Sequence, residues 1–117
     1  MTIKTSINTA LSAVLANTWS LELPIDPIWP ALLFELDTVP ESTWAFPAGS
    51  AYDQHTVSVT IFAKTIEEID ALLPQVNIAL QGIAGYMLDG ERGDAAYEND
   101  ASVYAYFTNH VIRTPRY

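Results

Sequence analysis

Residues 57–72 read VSVTIFAKTIEEIDAL. Within two residues the apolar period changes from that of a strand to that of a helix, and this constrains the fold more than any other stretch. Val57, Val59, Ile61 and Ala63 face one way, and Thr56, Ser58, Thr60 and Phe62 the other, which predicts a strand with one apolar face. Beyond Lys64, the residues Ile69, Leu72, Leu73, Val76, Leu80 and Ile83 recur at helical spacing. Thr65 followed by Glu68 is a capping box, the hydroxyl closing the first turn and the carboxylate reaching back. Glu67, Glu68 and Asp70 also suit the positive end of a helix. Pro74 falls inside the helical stretch, where its ring costs a backbone bond. It shares an outer line with Asp70, Asn77 and Gln81, so a bend around the core is expected rather than a stop. Gly82 or Gly85 ends the helix.

Upstream, Ile3, Ile7, Ala10, Leu11, Val14 and Thr18 step by three and four, a first helix that Thr2, Thr5 or Ser6 caps. Its apolar run is interrupted by Ser6, Asn8, Thr9 and Ser12, which separates it from a signal peptide. Trp19, Leu21 and Leu23 then alternate with polar residues as a short strand, with Trp19 expected in the core. The prolines of LPIDPIWP make a rigid connection, and ALLFELDTV reads as a second strand. Residues 40–55 form a long loop or ragged hairpin arm carrying Trp44, Phe46 and Tyr52. The tail reads as two strands joined by Glu98-Asn99-Asp100, with Val103, Ala105 and Phe107 alternating with Tyr104, Tyr106 and Thr108. The expectation is a single α+β domain over residues 1–117, in the order α-β-β-β-α-β-β. Both helices should cover one face of a mainly antiparallel or mixed sheet of about five strands.

The residues that could carry chemistry do not assemble into a recognised pattern. The chain has no cysteine, which removes disulfides, thiolate metal sites and cysteine nucleophiles together. Its net charge of −9 opposes a groove that grips nucleic acid. No apolar run approaches the ~18 residues of a membrane span. His55 and His110 lie in or beside strands, each without a second histidine at ligand spacing. Asp89, Glu91, Asp94, Glu98 and Asp100 crowd one stretch with only Arg92 opposing, but their spacing does not fit a calcium loop. Gly-Glu-Arg-Gly at 90–93 lacks the phosphate-loop pattern, and no serine sits in a nucleophile elbow. No cofactor is expected, and a structural or binding role is favoured over an enzyme.

The strand VSVTIFAKT, the helix IEEIDALLPQVNIALQGI and the closing hairpin YENDASVYAYFTNHVI together resemble the tail completion, or tail terminator, proteins of long-tailed bacteriophages. The N-terminal helix, ending in a short strand before a proline-rich connection, fits the same pattern. The likeness spans nearly the whole chain and rests on the order of elements, the AKT-x-E-E junction and the Tyr-Glu-x-Asp turn. Pro74 and the aromatic stretch at 40–55 depart from it. The resemblance implies a non-enzymatic virion protein at the neck–tail junction, made in the host cytoplasm. It implies a homo-oligomeric, typically hexameric, ring on the last ring of the major tail tube protein. That ring stops tube growth and docks the head-neck connector or head-completion protein, while DNA passes without specific binding. Trp44, Phe46 and Tyr52 are then candidate interface residues, and the five carboxylates between Asp89 and Asp100 a candidate acidic channel lining. A small ligand-binding or regulatory α+β domain is the alternative, and a small hydrolase a third reading. A concave polar-lined pocket would mark the second, and a perturbed titratable pair the third.

Overall fold

A computed structural model describes residues 2–41, 52–97 and 102–115. The elements run α1 (Ile3–Val14), β1 (Thr18–Ser20), β2 (Ala31–Glu41), β3 (Tyr52–Ala63), α2 (Ile66–Gln81), β4 (Tyr86–Ala96) and β5 (Tyr104–Pro115). The strands form one five-stranded sheet in the order β1-β2-β3-β5-β4. Only the β1–β2 pair is parallel; the other three pairs are antiparallel. This is the expected α+β fold with a mixed sheet.

The junction at 63–66 forms as its residues dictate. Thr65 is the N-cap of α2, its hydroxyl accepting from the Glu68 amide at 3.2 Å. The same hydroxyl donates to the Glu68 carboxylate, so the pair is closed through its side chains. α2 runs unbroken through Pro74, whose ring lies on the exposed side. The Gln75 side-chain amide donates to the Ala71 carbonyl at 2.9 Å, giving that carbonyl a donor in the turn the proline disturbs. Gly82 is the C-cap, so Ile83 lies just beyond the helix. In α1, Thr2 is the N-cap and accepts from the Thr5 amide.

Both helices lie on one face of the sheet. Ile7 and Leu11 of α1 and Ile69, Val76 and Leu80 of α2 bury against Leu32 and Phe34 of β2, Val57, Val59, Ile61 and Ala63 of β3, and Ile112 of β5. Cross-strand register explains the set: Leu32 faces Ile61 and Phe34 faces Val59 across β2 and β3. Burying one such large apolar side chain stabilises the fold by roughly 1.5–3 kcal/mol.

The closing strand keeps its alternation but divides it between two faces. On β5 the helix-facing positions are Tyr106, Thr108, His110 and Ile112, since these lie opposite Ile61, Val59, Val57 and His55. Ala105 instead packs with Val103 and Phe62 on the opposite face. Val103 and Ala105 thus belong to a second, smaller cluster, and the core-facing line of β5 is half polar. The second cluster sits beneath the proline-rich connection. Trp29, reached through a cis Trp29–Pro30 peptide, places its ring 5.8 Å from Phe62 and 5.0 Å from Tyr97. Asn17 holds this connection: its side-chain amide donates to the carbonyls of Ile28 and Pro30, the latter at 2.9 Å.

Candidate functional site

The candidate residues fall in three places. Trp44, Phe46, Glu98 and Asp100 lie outside the described residues. Tyr52 opens β3, with its side chain 40% exposed and the Arg113 guanidinium 5.5 Å from the ring centroid, a cation–π contact between adjacent strands. Asp89, Glu91 and Asp94 are exposed along β4, the outer strand of the sheet.

Two bulges on β4 build a dense polar group. Tyr86 pairs with Ile112 and Leu88 with Val111, then Asp89 with His110 and Arg92 with Thr108, so β4 gains one residue over β5 twice. In a regular strand, residues three apart face opposite ways. The bulges instead bring Tyr86 and Asp89 to the same face, and both reach His110. The Tyr86 hydroxyl donates to the Asp89 carboxylate and lies 3.0 Å from His110 Nδ1. His110 Nε2 lies 2.8 Å from the Thr108 hydroxyl. One neutral tautomer satisfies the whole group: Nδ1–H donates to the Tyr86 oxygen and Nε2 accepts from Thr108. Burial holds the His110 pKa below its ordinary value and Arg92 adds to that, while Asp89, 3.5 Å away, pulls upward through charge and hydrogen bonding.

His55 is handled in the same way on β3. Its Nδ1 lies 2.8 Å from the Thr38 hydroxyl and its Nε2 2.7 Å from that of Thr114. Burial lowers its pKa, against a smaller upward pull from Asp53. Each histidine thus has both ring nitrogens bonded to hydroxyl oxygens, which fixes the orientation of the ring; the hydroxyl on His110 Nε2 is that of Thr108, itself buried. Among the described residues, no group of three or more His, Asp or Glu is arranged to hold a metal ion.

An open apolar surface lies elsewhere among the described residues, at the end of the sheet where β2 and β5 begin and β3 and β4 finish. Trp19, expected in the core, is 41% exposed, and its indole N–H donates to Asn17 Oδ1 at 2.6 Å. The cause is position: β1 is a three-residue edge strand, and Trp19 pairs with Leu33 on the face away from the helices. In the connection that follows, Leu21, Ile25 and Ile28 are 61%, 98% and 76% exposed. Leu21 turns the chain at a φ of 71°, a conformation that costs a residue with a Cβ about 1–2 kcal/mol. Two grooves flank Tyr97. One, of about 570 Å³, opens between the start of α2 and the ends of β4 and β5; the other, of about 780 Å³, opens between the connection and the sheet. Ala96 and Tyr97 line both. The sequence signal for this surface was the run LPIDPIWP, whose isoleucines have no periodic partner to bury them.

No protein-family model matches the chain, and no curated protein matches it. Among solved structures, it is similar to a chain of the virion of a native gene transfer agent (GTA) particle, with a TM-score of 0.71 at 13% sequence identity. The match covers 97% of this chain and 94% of that one, so what the two share is the fold, over nearly the full length of both.

Proposed function

We propose that this chain is a structural protein of a phage-type virion, specifically a tail terminator. It forms a hexameric ring on the last ring of the tail tube, stops tube polymerisation and presents the docking surface for the head-neck connector. The observation that carries this reading is the full-length likeness of fold to a chain of a GTA virion. The order of elements around the AKT-x-E-E junction, by which the sequence resembles tail terminators, supports the finer assignment. The role is non-enzymatic in this reading, and both histidines are committed to structural hydrogen bonds.

In the ring, the β4 edge faces the channel. Asp89, Glu91 and Asp94, joined by Glu98 and Asp100, give a negative lumen that repels phosphate, so DNA crosses without sticking. Trp44, Phe46 and Tyr52 meet the neighbouring subunit. Tail length is the decisive measurement. Particles assembled without this chain should carry tubes of uncontrolled length that fail to join heads; uniform, head-joined tails in its absence would remove the assignment. The lumen is tested by Glu91→Lys with Asp94→Lys, which spares the Asp89–Tyr86 bond. Complete particles with impaired DNA delivery are expected, and unchanged delivery counts against it.

A further inference from the structure

Several large apolar side chains stand exposed at the end of the sheet where β2 and β5 begin. Leu21, Ile25 and Ile28 project from a connection that Asn17 pins in place through two carbonyls. Leu21 holds a left-handed backbone conformation that a glycine would adopt without cost. Grooves open on both sides of the adjacent Tyr97. Exposed apolar side chains held on a fixed, locally strained support are a candidate contact site.

The rim of this surface says what kind of partner fits. Glu22 and Asp26 are exposed on the connection itself, Glu35 lines the groove beneath it, and Asp70 lines the groove beside α2. A second copy of this chain docking through the same surface does not answer that rim. The chain has five Lys and Arg against fourteen Asp and Glu. Four of those cations are scattered over the described residues: Lys4 on α1, Lys64 bonded to Ser102, Arg92 on β4 and Arg113 against Tyr52. Two like-charged rims brought together would repel, at a cost that salt reduces.

We infer that this end of the sheet docks a different protein, one presenting an apolar centre within a rim of Lys and Arg. Resting on the reading above, that protein is the tail tube subunit at the growing end. A polymer end exposes the surface that the next ring would have buried, and buried interface centres are apolar. Whatever caps it must therefore offer an apolar face of its own. Ile25 and Ile28 enter the tube end, while Glu22, Asp26, Glu35 and Asp70 pair with its rim and oppose self-docking.

The test uses the intact chain and assembled tubes of the tail tube protein from the same particle. Ile25 and Ile28 are so exposed that Ile25→Asp with Ile28→Asp should leave folding and ring size unchanged, which circular dichroism and light scattering check. Tube affinity should fall by about ten-fold or more. Glu22→Lys with Asp26→Lys should also weaken binding and flatten its loss between about 50 mM and about 300 mM salt. Tube binding unchanged by the isoleucine variant overturns the inference while the terminator reading stands. A loss of ring size in that variant also overturns it, because the surface would then be covered by another copy. If the wild-type chain neither forms rings nor caps tubes, the terminator reading itself falls, and this inference with it.

Discussion

The two halves of the sheet solve the same problem with different chemistry. On the β2–β3 side, Leu32, Phe34, Val57, Val59 and Ile61 are buried under α1 and α2 and make almost pure hydrocarbon contact. On the β5–β4 side, Thr108 and His110 are equally buried, at 2% and 1% exposure, yet they are polar and bonded laterally to β4 through Tyr86. A helix cover makes burial favourable through area alone. Where that cover ends, a buried position must be closed by the neighbouring strand, and a hydrogen-bonded group then costs little while giving β4 a defined register. The apolar half supplies stability, and the polar half supplies geometry.

Mutations on either side measure how different the halves are. Phe34→Ala should cost about 3–5 kcal/mol in a urea titration, because it empties the centre of the covered half. A loss under about 1 kcal/mol would mean that the helices do not seal that face. Gly85 stands at the seam where α2 hands over to β4. Its φ is +92°, and an added Cβ would lie 2.0 Å from the Arg113 carbonyl oxygen. Gly85→Ala should cost about 1–3 kcal/mol and raise amide exchange along β4 before β2. Uniform exchange across the sheet would show that the halves unfold as one. Tyr86→Phe removes the hydroxyl linking His110 to Asp89, and should cost about 1–2 kcal/mol.

The pH dependence is a smaller effect and belongs to the polar half. Both histidines have folded-state pKa values below the ordinary one. The unfolded chain therefore binds more protons than the folded one as pH falls. The stability this contributes is complete above about pH 6.5 and is lost as pH drops through the lower folded values. His110→Gln should flatten the fall in thermal midpoint between about pH 7 and about pH 5, leaving the part due to His55. A slope equal to that of the wild type would place the sensitivity elsewhere. Thr108→Val, which keeps the shape and leaves Nε2 of His110 without a donor, should cost about 1 kcal/mol.

The covered half was also the legible half. VSVTIFAKTIEEIDAL states its period, its face and its cap, and the structure keeps all three. The polar half hides its logic because bulges reset the period. Tyr86, Asp89 and Arg92 share a face at spacings of three, which in sequence reads as helix or as noise. On β5 the sequence shows that Val103, Ala105 and Phe107 alternate with Tyr104, Tyr106 and Thr108 but not which set meets the helices; the line facing them runs through Tyr106, Thr108, His110 and Ile112. Trp19 was misplaced for another reason: edge position and the parallel pairing with β2 are properties of topology, which no local pattern carries. The role of Asn17 was equally silent, since one amide holding two carbonyls needs only a single residue.

The bulges of β4 also bear on how the chain behaves before it meets anything. A flat, regular outer strand of eleven residues is a template on which other chains add by backbone pairing, the first step toward fibrillar aggregates. Two irregularities break its hydrogen-bonding rhythm, and Asp89, Glu91 and Asp94 make any approaching strand of the same sequence meet like charge. Both features disfavour pairing of free chains along this border.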